Sequence, residues 1–343
     1  MYAFAEVQKV AAIKVTLQAG VAGETSPEQE FLRAVMLAAS SPDSMLPLEM
    51  ELAERLIAHF SASFKLALDQ QPDIAYWIDL ATDRPPLRLA RPPQHAPTLR
   101  FFAAGKATQE LEQLEHTIET GHIVPGSVNL GGSYEPEAVL EVMRHLLLYW
   151  SAKPAERKHL RHRVKSRLLV TPGFDGVLAV LDPSPTLEFD TERIENWIVE
   201  DVSAGGFGAS IAQIKGEWLK IGCLTGLQPE GGNNWVIGII RRLNRDAKLQ
   251  GSVGIQSLGR TSAPVALHDP SAAGEVHEGI LLNPSVDALE AQLLVRPGVY
   301  VAGRYLEFEY GGKTVLLMPS GVEEQGDDFE LLRAKQMIRD TSE

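Results

Sequence analysis

Apolar residues in the first ~150 positions recur every three or four residues, the spacing that places side chains on one face of an α-helix. The first helix is expected to begin at Ser26, because Ser26 can cap it, Pro27 suits the first helical position and Gln29 completes a capping box. Such stripes are typical of packing faces. The stripes are Phe31, Ala34, Val35 and Ala38; Leu48, Leu52, Leu56, Phe60 and Phe64; Leu111, Leu114 and Ile118; and Val139, Met143, Leu146, Leu147 and Trp150.

Two stretches of this helical region do not follow the helical spacing. The proline-rich run from Asp83 to Pro97 cannot be regular helix, because proline lacks an amide hydrogen and clashes with the preceding turn. The run from Ala11 to Leu17 also fits a strand. We therefore predict a mostly helical domain over residues 1–150, of unknown role.

After Trp150 the pattern changes to short β-prone runs separated by glycine, proline and asparagine, which is typical of a small antiparallel barrel or sandwich. A second series of such runs extends from about Pro264 to Val322 and contains a hairpin signal at Tyr310-Gly311-Gly312-Lys313. A short helix is predicted over Phe329 to Ile338.

The predicted fold class is therefore multidomain α+β. A helical N-terminal domain (1–150) precedes a basic linker arm (151–167), an antiparallel β-barrel (168–262) and a second small barrel-like β module with a C-terminal helix (263–343).

Composition narrows the class of protein. The chain has 343 residues, a net charge of −13 and 22% charged residues, so it is globular and repels nucleic acid unless a local basic patch exists. Its single cysteine, Cys223, excludes a disulfide framework and is expected to be a small buried hydrophobe. The N-terminus lacks a signal-peptide pattern and no apolar run reaches about eighteen residues, so we expect a cytoplasmic protein without a membrane span.

One local basic patch stands out against this acidic background. The segment from Lys153 to Arg167 holds seven lysine and arginine residues against Glu156, a local charge of +6. A charge run is often a solvated linker. Arginine exceeds lysine here, however, and planar guanidinium groups can bind phosphate oxygens or the O6/N7 edge of guanine.

A second chemical feature is the segment Glu200-Asp201-Val202-Ser203-Ala204-Gly205-Gly206-Phe207-Gly208. An Asp201 carboxylate can accept hydrogen bonds from the N1–H and N2–H₂ donors of guanine, which adenine does not present. The Ser203 hydroxyl can bond base or phosphate, and Gly205 and Gly206 permit close backbone approach. The segment is equally compatible with an ordinary glycine-rich β-turn.

In this order, the two features match two motifs. Arg163-Val164-Lys165-Ser166-Arg167 fits RxxxR, and Asp201 to Gly206 fits [D/N]xSxxG. The region from roughly Arg157 to Arg260 thereby resembles the PilZ domain, the bacterial receptor module for the second messenger cyclic di-GMP.

This resemblance implies a six-stranded antiparallel barrel and a role in signal transduction. It implies that Arg163 and Arg167 clamp guanine and phosphate, and that Asp201, Ser203 and Gly206 hold the ligand on the barrel. Arg161 and His162 are positioned to contact a second nucleotide, so one or two ligand molecules per site stay open.

Other functions have weaker support. The nine histidines form no metal-ligand pattern, and neither a P-loop nor a nucleophile elbow is present, so we predict no metal, no cofactor and no catalytic residues. The first alternative is a PilZ-like interaction adaptor that does not bind nucleotide; the second is a binder of single-stranded nucleic acid, which the charge disfavours.

The placement of the basic arm suggests that ligand binding orders it and reorients the flanking domains. A protein partner is expected at the N-terminal region or the last β module, and a homodimer stays open.

Overall fold

The computed structural model describes residues 13–16, 22–91, 93–151, 160–182, 194–214, 217–246, 250–270 and 276–338. The chain divides into two compact units, Met1–Glu156 and Arg157–Glu343.

The helical N-terminal region is confirmed. Ser26 caps the first helix as predicted: its Oγ accepts from the Gln29 amide at 3.2 Å, and its own amide donates to Gln29 Oε1 at 3.1 Å. Most residues of the apolar stripes face a common core, in which Leu52, Met143 and Leu146 are fully buried. Ala34, Ala38 and Leu48, which the stripes included, are exposed. Within the described residues, the α-helices of this unit are α1 (Pro27–Ala39), α2 (Pro47–His59), α3 (Ala107–Gly121) and α4 (Pro136–Trp150).

The first unit also contains strands that the helical periodicity did not predict. Near its start, β1 (Ile13–Thr16) and β2 (Ala22–Thr25) pair as an antiparallel hairpin. β1 lies within residues 11–17, the run whose sequence also fits a strand. A four-stranded antiparallel sheet has the order β3-β6-β4-β5. Strands this short are below the length at which alternation becomes visible. They are β3 (Lys65–Ala67), β4 (Tyr76–Asp79), β5 (Leu87–Arg88) and β6 (Leu99–Ala103).

The second unit begins with a closed six-stranded antiparallel barrel, as predicted. Alternate residues of neighbouring strands fill its interior, including Leu168, Val170, Trp197 and Val199, while the residues between them face outward. The strands are β7 (His162–Pro172), β8 (Glu195–Ser203), β9 (Gly206–Ile211), β10 (Leu224–Pro229), β11 (Val236–Arg245) and β12 (Gly251–Gly259).

A second closed six-stranded barrel follows directly. The predicted hairpin is confirmed: Tyr310 pairs with Lys313, and Gly311 and Gly312 both have positive φ. The strands are β13 (Ser262–His268), β14 (Val276–Leu282), β15 (Glu290–Val295), β16 (Leu306–Tyr310), β17 (Lys313–Gln325) and β18 (Glu330–Ile338).

The predicted C-terminal helix is wrong. Residues Glu330–Ile338 form β18, which pairs with β15 on one side and β17 on the other. The segment is rich in strong helix formers, but Leu332, Ala334 and Gln336 are buried at alternate positions. Closing the barrel satisfies the backbone on both edges, so tertiary pairing overrides local propensity.

The predicted linker arm is also shorter than expected. Residues 162–167 are the first part of β7 and pair with β8 in the barrel. The arm residues 152–159 lie outside the described residues.

The two barrels share an apolar core. Helix α5 (Gly173–Leu181) follows β7 and buries Phe174 and Val177 completely between side chains of both barrels. The Phe174 amide, one of the free donors at the start of the helix, donates to Asp328 Oδ2 of the second barrel at 2.7 Å. Residues of the two barrels in this core are Leu224, Ile237, Ile239, Ile280, Leu282, Leu294, Phe329 and Leu331.

We expect Phe174→Ala to destabilise both barrels together by about 3–5 kcal/mol, because it opens a cavity in their common core. Hydrogen exchange read by mass spectrometry reports the opening free energy of each strand separately. The exposed Val276→Ala is the control and should change it by less than about 0.5 kcal/mol. Faster hydrogen exchange confined to one barrel would contradict cooperative unfolding of the two barrels.

Candidate functional site on the first barrel

Strand pairing brings the two sequence motifs together. Arg163 on β7 lies directly opposite Asp201 on β8, although 37 residues separate them in the chain. A register shift between Arg163 and Ser166 interrupts the ladder, and Arg167 then pairs with Ile198. The neighbouring Leu168 and Trp197 point into the barrel core. Arg163 and Arg167 are exposed on the outer surface.

The second motif is the β8–β9 hairpin. Ser203 pairs with Gly206, so Ala204 and Gly205 form a two-residue turn. The Ser203 Oγ accepts from the Gly205 amide at 3.3 Å and donates to the Gly206 carbonyl at 3.4 Å. Because side chains alternate along a strand, Asp201 and Ser203 lie on the same face of β8. The hairpin therefore presents a carboxylate and a hydroxyl side by side.

Gly206 is required by the barrel itself. Its φ is +151°, and a Cβ at this position would lie 1.9 Å from the carbonyl oxygen of Ile255 on β12. The absence of a side chain allows β9 to pair with β12, where Gly206 lies opposite Gln256. The motif glycine thus holds the turn against the last strand of the barrel.

Gly208 lies beneath the Asp201 carboxylate. The two residues pair across β8 and β9, and a Cβ on Gly208 would lie 2.8 Å from Asp201 Oδ2 and 3.0 Å from Oδ1. The carboxylate therefore rests on bare backbone, in a position that a side chain at 208 would occupy.

Arg161 already engages this carboxylate. Its Nη1 donates to Asp201 Oδ1 at 3.1 Å and to Oδ2 at 3.2 Å. Both side chains are partly solvated, with 45% of Arg161 and 27% of Asp201 exposed. A pair this accessible contributes little to stability and can exchange partners. His162, the next residue, pairs with Val202 and is exposed.

Sequence reasoning missed Glu230, which holds Arg167 in place. The Arg167 amide donates to Glu230 Oε2 at 3.2 Å, and the Glu230 amide donates to the Arg167 carbonyl at 3.0 Å. No sequence signal connects the two, because they lie 63 residues apart. These bonds position the backbone of Arg167 and leave its guanidinium exposed.

The charges around the hairpin are unlike those of the chain as a whole. Exposed cationic side chains at positions 161, 163, 165 and 167 alternate along β7 and the residue before it. Against a net charge of −13 this edge is locally positive, which favours an anionic ligand.

Cys223 is only partly buried, whereas the sequence predicted a small buried hydrophobe. It packs against the first barrel's core, and its Sγ donates to the Trp218 carbonyl at 2.8 Å. Burial raises the pKa of the thiol, so the reactive thiolate is disfavoured.

In the described part of the chain, histidine, cysteine and carboxylate side chains form no group of three that could hold a metal ion. Every helix within the same ranges is too short or too polar to cross a bilayer.

Comparison with known proteins adds a finding that is independent of the two motifs. Residues 1–72 match the family model described as the N-terminal domain of the cyclic-di-GMP receptor FimW. No curated protein and no solved structure matches the chain. The matched residues precede both barrels, so they carry none of the residues discussed above.

We expect Gly206→Ala to destabilise the barrel far more than Gly222→Ala. Both glycines have positive φ, so both substitutions carry backbone strain of about 1–3 kcal/mol. Only Gly206 faces a clash, since nothing lies within 4 Å of a Cβ at Gly222. The clash adds a further ~2–3 kcal/mol, which thermal unfolding measures. Equal losses for the two variants would show that β12 does not constrain the turn.

Proposed function

We propose that this chain is a PilZ-type cyclic di-GMP receptor that binds its ligand on the outer face of the first barrel. The match of residues 1–72 to the FimW N-terminal domain and the six-stranded barrels support this proposal. The observation that carries the proposal is the pairing of Arg163 with Asp201, because it joins the two motifs in one site. Binding uses Arg163 and Arg167 on β7 and Asp201, Ser203 and the Gly205–Gly206 backbone at the hairpin.

Each group has a distinct chemical task in this proposal. The Asp201 carboxylate accepts from guanine N1–H and N2–H₂, which selects guanine over adenine. The guanidinium groups of Arg163 and Arg167 reach phosphate oxygens or the O6/N7 edge of guanine. The Ser203 hydroxyl lies beside Asp201 and can bond base or phosphate. All of these tasks are binding tasks, so we propose that the protein acts as a receptor and not as an enzyme.

In this proposal Arg161 competes with guanine for the Asp201 carboxylate, because its guanidinium donates to both carboxylate oxygens. Guanine offers its own N–H donors in place of those of Arg161, so Asp201 keeps its hydrogen bonds after the exchange. The released Arg161, with His162 beside it, is then placed to contact a phosphate or stack on a second guanine.

The consequence of binding is proposed to be a change between the N-terminal unit and the barrels. Small-angle scattering with and without cyclic di-GMP measures this change.

We place the receptor in the cytoplasm, and we expect a protein partner at the N-terminal region or the second barrel.

Removing one motif side chain should weaken cyclic di-GMP binding strongly. We expect Arg163→Ala and Asp201→Asn each to raise the Kd by about 10- to 100-fold, since each loses a charge-assisted hydrogen bond of ~1.5–3 kcal/mol. Isothermal titration calorimetry measures the change. The exposed Lys313→Ala removes the same charge from the same unit and should leave the Kd unaltered.

The same titration separates the alternatives. A wild-type chain that takes up no cyclic di-GMP would support an adaptor without ligand. Salt-sensitive binding of any oligonucleotide would instead support a binder of single-stranded nucleic acid.

Gly208→Ala tests whether the carboxylate must lie where the structure places it. The added Cβ displaces the Asp201 side chain, while the backbone there is compatible with alanine because its φ is not in the left-handed region. We expect a folded protein whose Kd for cyclic di-GMP rises at least about tenfold, as for loss of one good hydrogen bond. Unchanged affinity in calorimetry would mean that the ligand does not use Asp201.

A further inference from the structure

The two barrels have the same strand connectivity. In each, the first strand pairs with the second and the second with the third. The third pairs with the sixth, the sixth with the fifth, the fifth with the fourth and the fourth with the first. All of these pairings are antiparallel. The turn between β14 and β15 in the second barrel therefore corresponds to the β8–β9 hairpin that carries the second motif in the first.

The corresponding turn retains part of that motif. Asn283 and Ser285 stand at the spacing of Asp201 and Ser203, although they lie just beyond the end of β14 and not within it. Strand pairing places Glu290, the first residue of β15, where β9 begins with Gly206. Asn283 holds the start of β13 as well, since its Oδ1 accepts from the Arg260 amide at 2.9 Å.

One backbone hydrogen bond recurs in both barrels. In the first, the Ser257 amide of β12 donates to the Gly205 carbonyl of the turn at 3.0 Å. In the second, the Gln336 amide of β18 donates to the Leu289 carbonyl at 2.9 Å. The last strand of each barrel thus holds the same turn in the same way.

We infer that this turn of the second barrel forms a second ligand site, which binds a single guanine base as guanosine or guanosine monophosphate. A cavity of about 390 Å³ opens there, within the size range of small-molecule sites. Its polar lining comes from the turn (Asn283 and Ser285) and from the outer faces of β15 and β18 (Glu290, Gln292 and Arg333). The buried Gln336 completes it, and its Nε2 donates to the Ser285 and Val286 carbonyls.

The charges in this cavity fit guanine. Glu290 and Arg333 lie on neighbouring strands, with Gln292 directly opposite Arg333 and Glu290 two residues before Gln292 on the same face. Among the described residues, the Glu290 carboxylate has no ion-pair partner, while Arg333 pairs with Glu323. The carboxylate accepts from the N1–H and N2–H₂ donors, and the guanidinium donates to the O6/N7 edge.

The same comparison excludes the cyclic dinucleotide from this second site. Arg260 precedes β13, but the residue four positions later is Pro264, so the pair of arginines is absent. Lys335 lies directly opposite Glu290, and Glu323 pairs with Arg333, so these four side chains together carry no net charge and little favours a ligand with two phosphates. The inference goes beyond the proposed function of the first barrel and does not depend on it.

The test uses the full chain with Arg163→Ala and Asp201→Asn in place, so that the first site is disabled. Calorimetric titration should show that guanosine and guanosine 5′-monophosphate bind with similar Kd. Adenosine 5′-monophosphate should bind at least tenfold more weakly, because it lacks the donors that Glu290 reads. Absence of guanosine binding up to millimolar concentration would overturn the inference, and so would equal binding of the two monophosphates.

A matched pair of variants assigns the binding to the cavity. Glu290→Gln in that background should raise the Kd for guanosine at least tenfold. Glu309→Gln changes an exposed carboxylate on β16 of the same barrel, outside the cavity, and should have no effect. Equal effects of the two variants would refute the site. If guanosine does not bind, the proposal for the first barrel is unaffected, because the titration of the wild-type chain with cyclic di-GMP tests it separately.

Discussion

The antiparallel pairing of β7 with β8 is the constraint on which the candidate site depends. It fixes Arg163 opposite Asp201, and the register shift after Arg163 sets where Arg167 emerges. The pairing is in turn held by the barrel core beneath it, where Leu168 and Trp197 are almost completely buried. A slip of one residue would turn these side chains outward and the charged ones inward, so the core enforces the geometry of the site.

The site combines rigid positions with an exchangeable ion pair. Gly206 and Gly208 hold the hairpin backbone close to β12 and to the Asp201 carboxylate, which leaves little freedom for either. The Arg161–Asp201 contact is solvated and weak by comparison. Both properties suit the proposed binding of an anion, in which groups fixed by the fold provide selectivity and Arg161 yields the carboxylate to the ligand.

The second barrel is joined to the first by an apolar core, a hydrogen bond at a helix end and ion pairs. The core around Phe174 and the contact of the α5 amide with Asp328 join the two barrels. Bridging ion pairs, Arg241 with Glu324 and Lys220 with Asp327, add to this surface. Arg241 also donates to Gln256, the residue opposite Gly206, so the turn of the first barrel is connected to β17 of the second.

The sequence by itself determined the helical stripes, the capping box at Ser26, the β-rich second half and the two motifs, because these signals are local in the chain. Of the strands in the N-terminal unit it indicated only β1, because most of the others are too short for alternation to show and β6 is buried at every position. It led to a helix at Glu330–Ile338, because propensity ignores the two strands that pair with that segment. Only the tertiary structure placed Arg163 against Asp201, engaged Arg161 with the same carboxylate and brought Glu230 to Arg167. Those contacts join distant parts of the chain, and barrel closure, unlike periodicity, decides which strands become neighbours.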